Sequence, residues 1–288
     1  QTKQPDLLLF GSSRCLGLHP NYNNLYGVNV SLFAGTIEDY YCIFRYAVDE
    51  LKYPIKVVVL GLEPDLMLNS HPTDMMLIRN NKLNPWLIKK NVSVIQSFFR
   101  EPLFLNELSS LLSIMTIRNS CKVVLQFYIK KLNIINETFA SEKNSASNIQ
   151  GNPFFKDLIY EKDSIDARLR QYKKIYTGAI NIDPQRINYL YKFAQFAFDK
   201  RIRVIMFFPG YSMKFWEEMS KVPSFEKMHF ALEDHIKEIE KQFEWKILDF
   251  RPGQSMGLSL DFFDGVHPTQ KTVRIIDKTI EDLINHGI

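Results

Sequence analysis

The sequence predicts an α/β domain built on a mostly parallel sheet. Two observations carry this. Short apolar runs of strand length, such as residues 6–10 (DLLLF), 56–62 (KVVVLGL) and 203–208 (RVIMFF), have no alternating polar face, as strands buried on both sides require. Segments with apolar residues at helical spacing stand between them, and strand, helix, strand in succession implies a parallel crossover.

The first strand, 6–10, ends at Gly11, and a second candidate is 25–32. Thr36 then caps a helix, with Asp39 three residues on as in a capping box. Ile37, Tyr40, Tyr41, Phe44, Val48 and Leu51 form its inner stripe, and Pro54 ends it. The strand at 56–62 follows, closed by Glu63 and Pro64. The pattern resumes at Asp183-Pro184, a cap with proline at the first helical position. A helix led by Ile187, Leu190, Ala194 and Phe198 precedes the strand at 203–208. Ser224 is read as the cap of the next helix, 245–250 (WKILDF) as the last strand, and 269–284 as the final helix. The chain thus forms a single domain, 1–288, with a large, mainly helical insertion between the third and fourth strands, approximately 65–182. Within the insertion, 84–117 reads as helical, 122–128 as helix or strand, 136–153 as polar loop, and 164–174 as a charged surface helix. Following the carboxyl end of a strand, the insertion is a candidate lid or substrate platform.

Composition narrows the class. With 45% hydrophobic and 24% charged residues the chain is neither disordered nor fibrous. No apolar run approaches the ~20 residues that span a bilayer. The formal net charge of +4 is small and acids are interspersed among the bases, so no nucleic-acid partner is expected. Three cysteines, Cys15, Cys42 and Cys121, form neither a disulfide framework nor a metal-ligand spacing; one bridge stays open, and no metal or cofactor is expected. The chain opens on Gln1, which a removed signal peptide or membrane anchor would explain, as would a deliberate truncation.

Two segments carry candidate chemistry. Gly11-Ser12-Ser13-Arg14 follows the first strand, and Asp264-Gly265-Val266-His267 precedes the last helix. Ligands of open parallel sheets collect outside the carboxyl ends of the strands. A serine there, beside a histidine oriented by a carboxylate three residues away, has the composition of an activated nucleophile. Arg14 is a candidate for an anionic group of the substrate, with a surface or core-edge salt bridge as the alternative.

These motifs resemble the SGNH/GDSL hydrolase superfamily. Its first block, Gly-Asp-Ser, is similar to Gly11-Ser12-Ser13, and its last, Asp-x-x-His, to Asp264 through His267. The resemblance implies a three-layer α/β/α flavodoxin-like fold and ester hydrolysis or acyl transfer through an acyl-serine. It makes Ser13 the nucleophile, His267 the general base and Asp264 its orienting partner. Gly35 resembles the second-block glycine, whose N–H would join that of Ser13 in an oxyanion hole. The third block, Gly-x-Asn-Asp in the family, reads Gly61-Leu62-Glu63-Pro64 here, so Glu63 stands where the family has a donor, and an ionised glutamate cannot donate.

Gly-Ser-Ser, the Glu-Pro third block and the late Phe-x-Asp-x-x-His are similar to cell-envelope members, of the type serving teichoic acid D-alanylation and alginate acetylation. That similarity implies an acylated carbohydrate or small ester as substrate, membrane-anchored partner proteins, and an extracytoplasmic, membrane-anchored location. The competing expectation is a catalytically impaired binding or assembly module that keeps the fold without a working oxyanion hole.

Overall fold

The computed structural model describes residues 4–22, 24–32, 35–68, 165–178, 181–254 and 258–286. The chain divides into two compact units, 1–87 with 160–288, and 88–159; all described residues belong to the first.

Five strands form one sheet: β1 Leu7–Phe10, β2 Gly27–Asn29, β3 Val57–Gly61, β4 Arg203–Phe208 and β5 Lys246–Asp249. Their order is β2-β1-β3-β4-β5 and every pairing is parallel. β1 and β3 are buried along their whole length, which is why their sequences lack alternation. Six helices accompany the sheet among the described residues: α1 Ile37–Arg45, α2 Ile165–Gly178, α3 Pro184–Asp199, α4 Met213–Ser220, α5 Pro223–Phe243 and α6 Gln270–His286. None is long and apolar enough to cross a membrane.

The period-2 geometry of the strands sorts the core into two faces. Leu7, Leu9, Val57, Val59, Ile205 and Phe207 pack with Val273, Ile276, Ile280 and Leu283 of α6, the inner stripe of that helix. Each such buried side chain contributes roughly 1.5–3 kcal/mol. On the opposite face, the Phe10 ring meets Tyr40 and Phe44 of α1 and Phe193 of α3 at 5.7, 6.2 and 5.9 Å between centroids. The result is a three-layer α/β/α arrangement with the order 2-1-3-4-5. The strand order reverses between β1 and β3, so the crevice outside their carboxyl ends is the topological switch point.

The caps explain several boundaries. Asp39 accepts from the Thr36 N–H at 2.7 Å, and Asp183 from the Gln185 N–H at 2.8 Å with Pro184 at the first helical position. α1 ends earlier than its stripe suggests, at Arg45, and continues as a π-helical turn over Tyr46–Glu50. Ser224 is not a cap: Val222 holds that position, and the Ser224 hydroxyl donates to the Tyr176 carbonyl at 2.6 Å. α4, capped by Ser212, was not anticipated, being too short to show a periodic stripe. The segment read as a charged surface helix is α2, and it is charged on one side only. Leu169, Tyr172 and Tyr176 are buried against Phe215, Phe225 and Met228.

The insertion leaves and returns at paired points. Leu68 and Ile182 form an antiparallel bridge, and the Asp183 N–H donates to the Met67 carbonyl at 2.9 Å. Arg186 sits beneath this junction. It donates to the Leu66 and Leu68 carbonyls at 3.0 and 2.6 Å and pairs with buried Glu38 at 3.2 Å. The expected elements at 84–117, 122–128 and 136–153, and Cys121, lie outside the described residues. Cys15 and Cys42 are free and buried.

Candidate active site

β1 ends at Phe10 and the chain turns at once into a single 3-10 turn, Ser13–Cys15, whose Arg14 N–H is capped by the Ser12 hydroxyl at 3.2 Å. The glycines flanking this edge are a packing requirement. A Cβ at Gly11 would lie 2.3 Å from Cys15 Sγ, and one at Gly61 would lie 2.5 Å from the same atom. With both absent, the Cys15 side chain tucks beneath the turn. Asn29, at the end of β2, fastens the turn from the other side by donating to the Cys15 and Leu18 carbonyls at 2.9 and 3.0 Å. Ser13 is left half-buried between buried neighbours, with its hydroxyl at the switch point.

His267 arrives from the loop before α6. Gly265 adopts φ +95°, a left-handed conformation that a side chain strains, and this lets the chain reverse within three residues. Asp264 Oδ1 accepts from the backbone N–H groups of Val266 and His267 at 3.1 and 2.8 Å, while Oδ2 meets His267 Nδ1 at 2.7 Å. The other ring nitrogen, Nε2, lies 3.0 Å from Ser13 Oγ. The Phe263 ring stacks on the imidazole at 5.6 Å and 14°. Asp264 is almost fully buried (1% exposed). Burial alone would raise its pKa, but the His267 hydrogen bond and charge and the two backbone donors outweigh it and hold the carboxyl below the usual carboxylate range. A hydroxyl, an imidazole and a buried carboxylate joined in this way can pass the hydroxyl proton to the ring and stabilise the resulting imidazolium.

The structure joins Arg14 and Glu63 in a buried ion pair, the salt-bridge alternative for Arg14 rather than a contact left open for an anionic group. Both are buried (4% and 2% exposed). Glu63 Oε1 accepts the Ser12 hydroxyl in a short hydrogen bond, and Oε2 lies 3.3 Å from Arg14 Nη1, an ion pair whose geometry falls short of a hydrogen bond. Glu63 thus grips both neighbours of Ser13. Arg14 reaches further: Nε donates to the Val266 carbonyl at 3.1 Å, Nη2 donates to the Gly210 carbonyl, and the guanidinium lies 4.2 Å over the Tyr211 ring. It therefore fastens the serine turn to the histidine loop. Burial works against its charge, but Glu63 with Tyr211 and Tyr172 more than offsets this and raises its pKa.

The Gly35 amide donates to the Leu32 carbonyl at 3.2 Å, and its own carbonyl accepts from the Tyr40 hydroxyl at 2.8 Å. Its hydrogen is thus already engaged, whereas among the described residues no group accepts from the Ser13 backbone N–H. Behind Glu63, the Asp65 carboxyl is buried and pushed up to about 7 by desolvation and the neighbouring Glu63 charge. Among the described residues no group of three or more His, Cys, Asp or Glu side chains is arranged to hold a metal ion.

Sequence reasoning missed two residues of this site. Asn29 carried no signal beyond being a polar residue at a strand end. Arg168, on α2, donates to Asp264 Oδ2 from Nε at 3.0 Å, and its Nη2 forms an ion pair with the same oxygen at 2.8 Å. Its signal was available in the stripe Leu169, Tyr172, Tyr176, which fixes the buried face of α2 and puts Arg168 beside it.

No protein-family model matches the chain, and no curated protein sequence does. Solved structures similar to it include the following two. One is a GDSL-like lipase from Bacteroides thetaiotaomicron, at 11% identity and TM-score 0.45, covering 98% of this chain and 88% of that one. The other is a protein assigned as an acylhydrolase from Bacteroides fragilis, at 12% identity and TM-score 0.44, covering 99% and 91%.

Proposed function

We propose that this chain is a serine esterase or O-acyltransferase in which Ser13 is the nucleophile, His267 the general base and Asp264 its orienting carboxylate. The observation that carries the reading is the continuous contact from Ser13 Oγ to His267 Nε2, 3.0 Å, and from His267 Nδ1 to Asp264 Oδ2, 2.7 Å, at the switch point of the sheet. Ser13 Oγ attacks the ester carbonyl while His267 takes its proton. The tetrahedral oxyanion forms against the Ser13 N–H. His267 then returns the proton to the departing alkoxide, leaving an acyl-serine. Water releases the acid, or a sugar hydroxyl takes the acyl group, with His267 again accepting the proton and returning it to Ser13 Oγ as the acyl–serine bond breaks.

The motif resemblance supports an acylated glycan or envelope polymer as substrate and an extracytoplasmic setting. The test is turnover of p-nitrophenyl acetate together with fluorophosphonate labelling, using Ser13→Ala as control. Labelling of the wild type at Ser13, absent in the variant, supports the reading; an unlabelled wild type removes the nucleophile. A second reading, a non-catalytic binding or assembly module, is favoured by the engaged Gly35 amide and the absence of a side-chain donor at Glu63. It predicts no turnover despite an intact fold.

A further inference from the structure

We infer that Arg168 is a positioning residue of the candidate site, acting through Asp264 to keep His267 in its neutral, proton-accepting form. The inference rests on the nucleophilic reading of Ser13 and deepens it, because it makes the helix that returns from the insertion part of the catalytic machinery.

The argument begins with what Asp264 already has. Two backbone N–H groups fix Oδ1, so the carboxylate keeps its orientation without any help from α2. Oδ2 is the oxygen that receives His267 Nδ1, and Arg168 brings one donor, a second guanidinium nitrogen at ion-pair distance and a full positive charge onto that same atom. Arg168 therefore adds charge, not orientation. A lone carboxylate against an imidazole favours the imidazolium, which cannot accept the serine proton. A cation sharing the carboxylate opposes that protonation, and the partial burial of Arg168 (15% exposed) limits screening by solvent.

The other charged groups around the ring do not duplicate this role. Asp264 is on the ring's own loop, and Arg14 touches that loop at the Val266 carbonyl but is paired with Glu63. Asp65 lies behind Glu63, Lys271 and Asp261 pair with each other at the exposed start of α6, and the stacked ring face belongs to Phe263. Among the described residues, only Arg168 places a cation on the shared oxygen.

Arg168→Gln and Arg168→Lys separate the two contributions, since glutamine keeps a donor without the charge and lysine keeps the charge without the fork. The rate of fluorophosphonate labelling is followed against pH for both variants and the wild type. In Arg168→Gln the acid limb moves about one pH unit toward alkaline, and labelling recovers to the wild-type rate or above it at high pH. Arg168→Lys keeps the acid limb close to that of the wild type. A pH-independent loss in Arg168→Gln, or an unmoved acid limb, would overturn the inference. The His267 ring resonances, titrated by NMR in wild type and Arg168→Gln, read the same coupling without any chemistry. An unlabelled wild type would therefore remove the nucleophilic reading, while the titration would still decide the charge coupling.

Discussion

Replacing Glu63 by glutamine separates two accounts of the site. If position 63 belongs to the oxyanion hole, as its alignment with the third-block asparagine implies, an amide there supplies the missing donor and activity rises. The structure predicts the opposite, because Glu63 holds Ser12 with one oxygen and the buried Arg14 with the other. At 3.3 Å and an effective dielectric constant of about 20, the Glu63–Arg14 attraction is worth about 5 kcal/mol. Glutamine keeps an acceptor and recovers about 1 kcal/mol per neutral hydrogen bond. The net cost is about 3–4 kcal/mol, within the range for leaving one member of a buried pair uncompensated. For a domain of this size that lowers Tm by about 10 °C. Urea unfolding followed by circular dichroism measures the stability, and fluorophosphonate labelling measures the serine. Losses in both are expected, because Arg14 without its counter-ion no longer fastens the histidine loop. A variant as stable as the wild type within about 1 kcal/mol, or one that labels faster, would refute the clamp and restore position 63 to the oxyanion hole.

Arg186→Met should cost about 3–5 kcal/mol in urea unfolding, since it strands the buried Glu38 and frees two carbonyls at the base of the insertion. Gly265→Ala places a Cβ at φ +95° and 2.9 Å from the Phe215 ring; stability should fall by about 1–3 kcal/mol and labelling of Ser13 should fall at least tenfold, read by mass spectrometry. Asp65 has a folded-state pKa of about 7, above its unfolded value, so the folded protein favours the protonated acid. Stability is therefore lost as pH rises from about 4 to about 7, by about 4 kcal/mol for this group alone. Asp277, pushed up to about 6 chiefly by burial, adds a slope in the same window. Asp65→Asn should flatten the Asp65 part of the slope in a pH series of urea melts; an unchanged slope would place the Asp65 proton elsewhere.

The strands were legible because burial on both faces leaves uninterrupted apolar runs, and the caps at Thr36 and Asp183 were legible because capping is a local contest for a few N–H groups. Ser224 misled for the same reason, since only the packed position of Tyr176 decides that its hydroxyl turns toward that carbonyl. Ser13, Asp264 and His267 were readable as a set because their chemistry needs fixed residue types at the strand and helix ends, and they do meet in space. Arg14, Glu63 and Arg168 show where such reading stops. A buried arginine and a substrate-binding arginine have the same sequence signature; what separates them is a tertiary partner more than 40 residues away in the chain.

The ionised groups at the carboxyl edge have one structural logic. The loops at this edge expose carbonyls no neighbouring strand can satisfy, here those of Gly210, after β4, and Val266, before α6. Apolar packing secures both faces of the sheet but cannot reach this rim, where three loops must converge to place Ser13 against His267. Arginine suits the task because its fork donates in several directions from one buried charge. That charge then demands a buried counter-ion, which Glu63 provides from the end of β3. Glu63, which the motif resemblance aligns with an oxyanion donor, is thus needed as an anion, and a carboxylate that holds both neighbours of Ser13 cannot also donate to an oxyanion. In the proposed mechanism the oxyanion relies on the backbone N–H of Ser13, whose placement depends on the same Glu63–Arg14 pair.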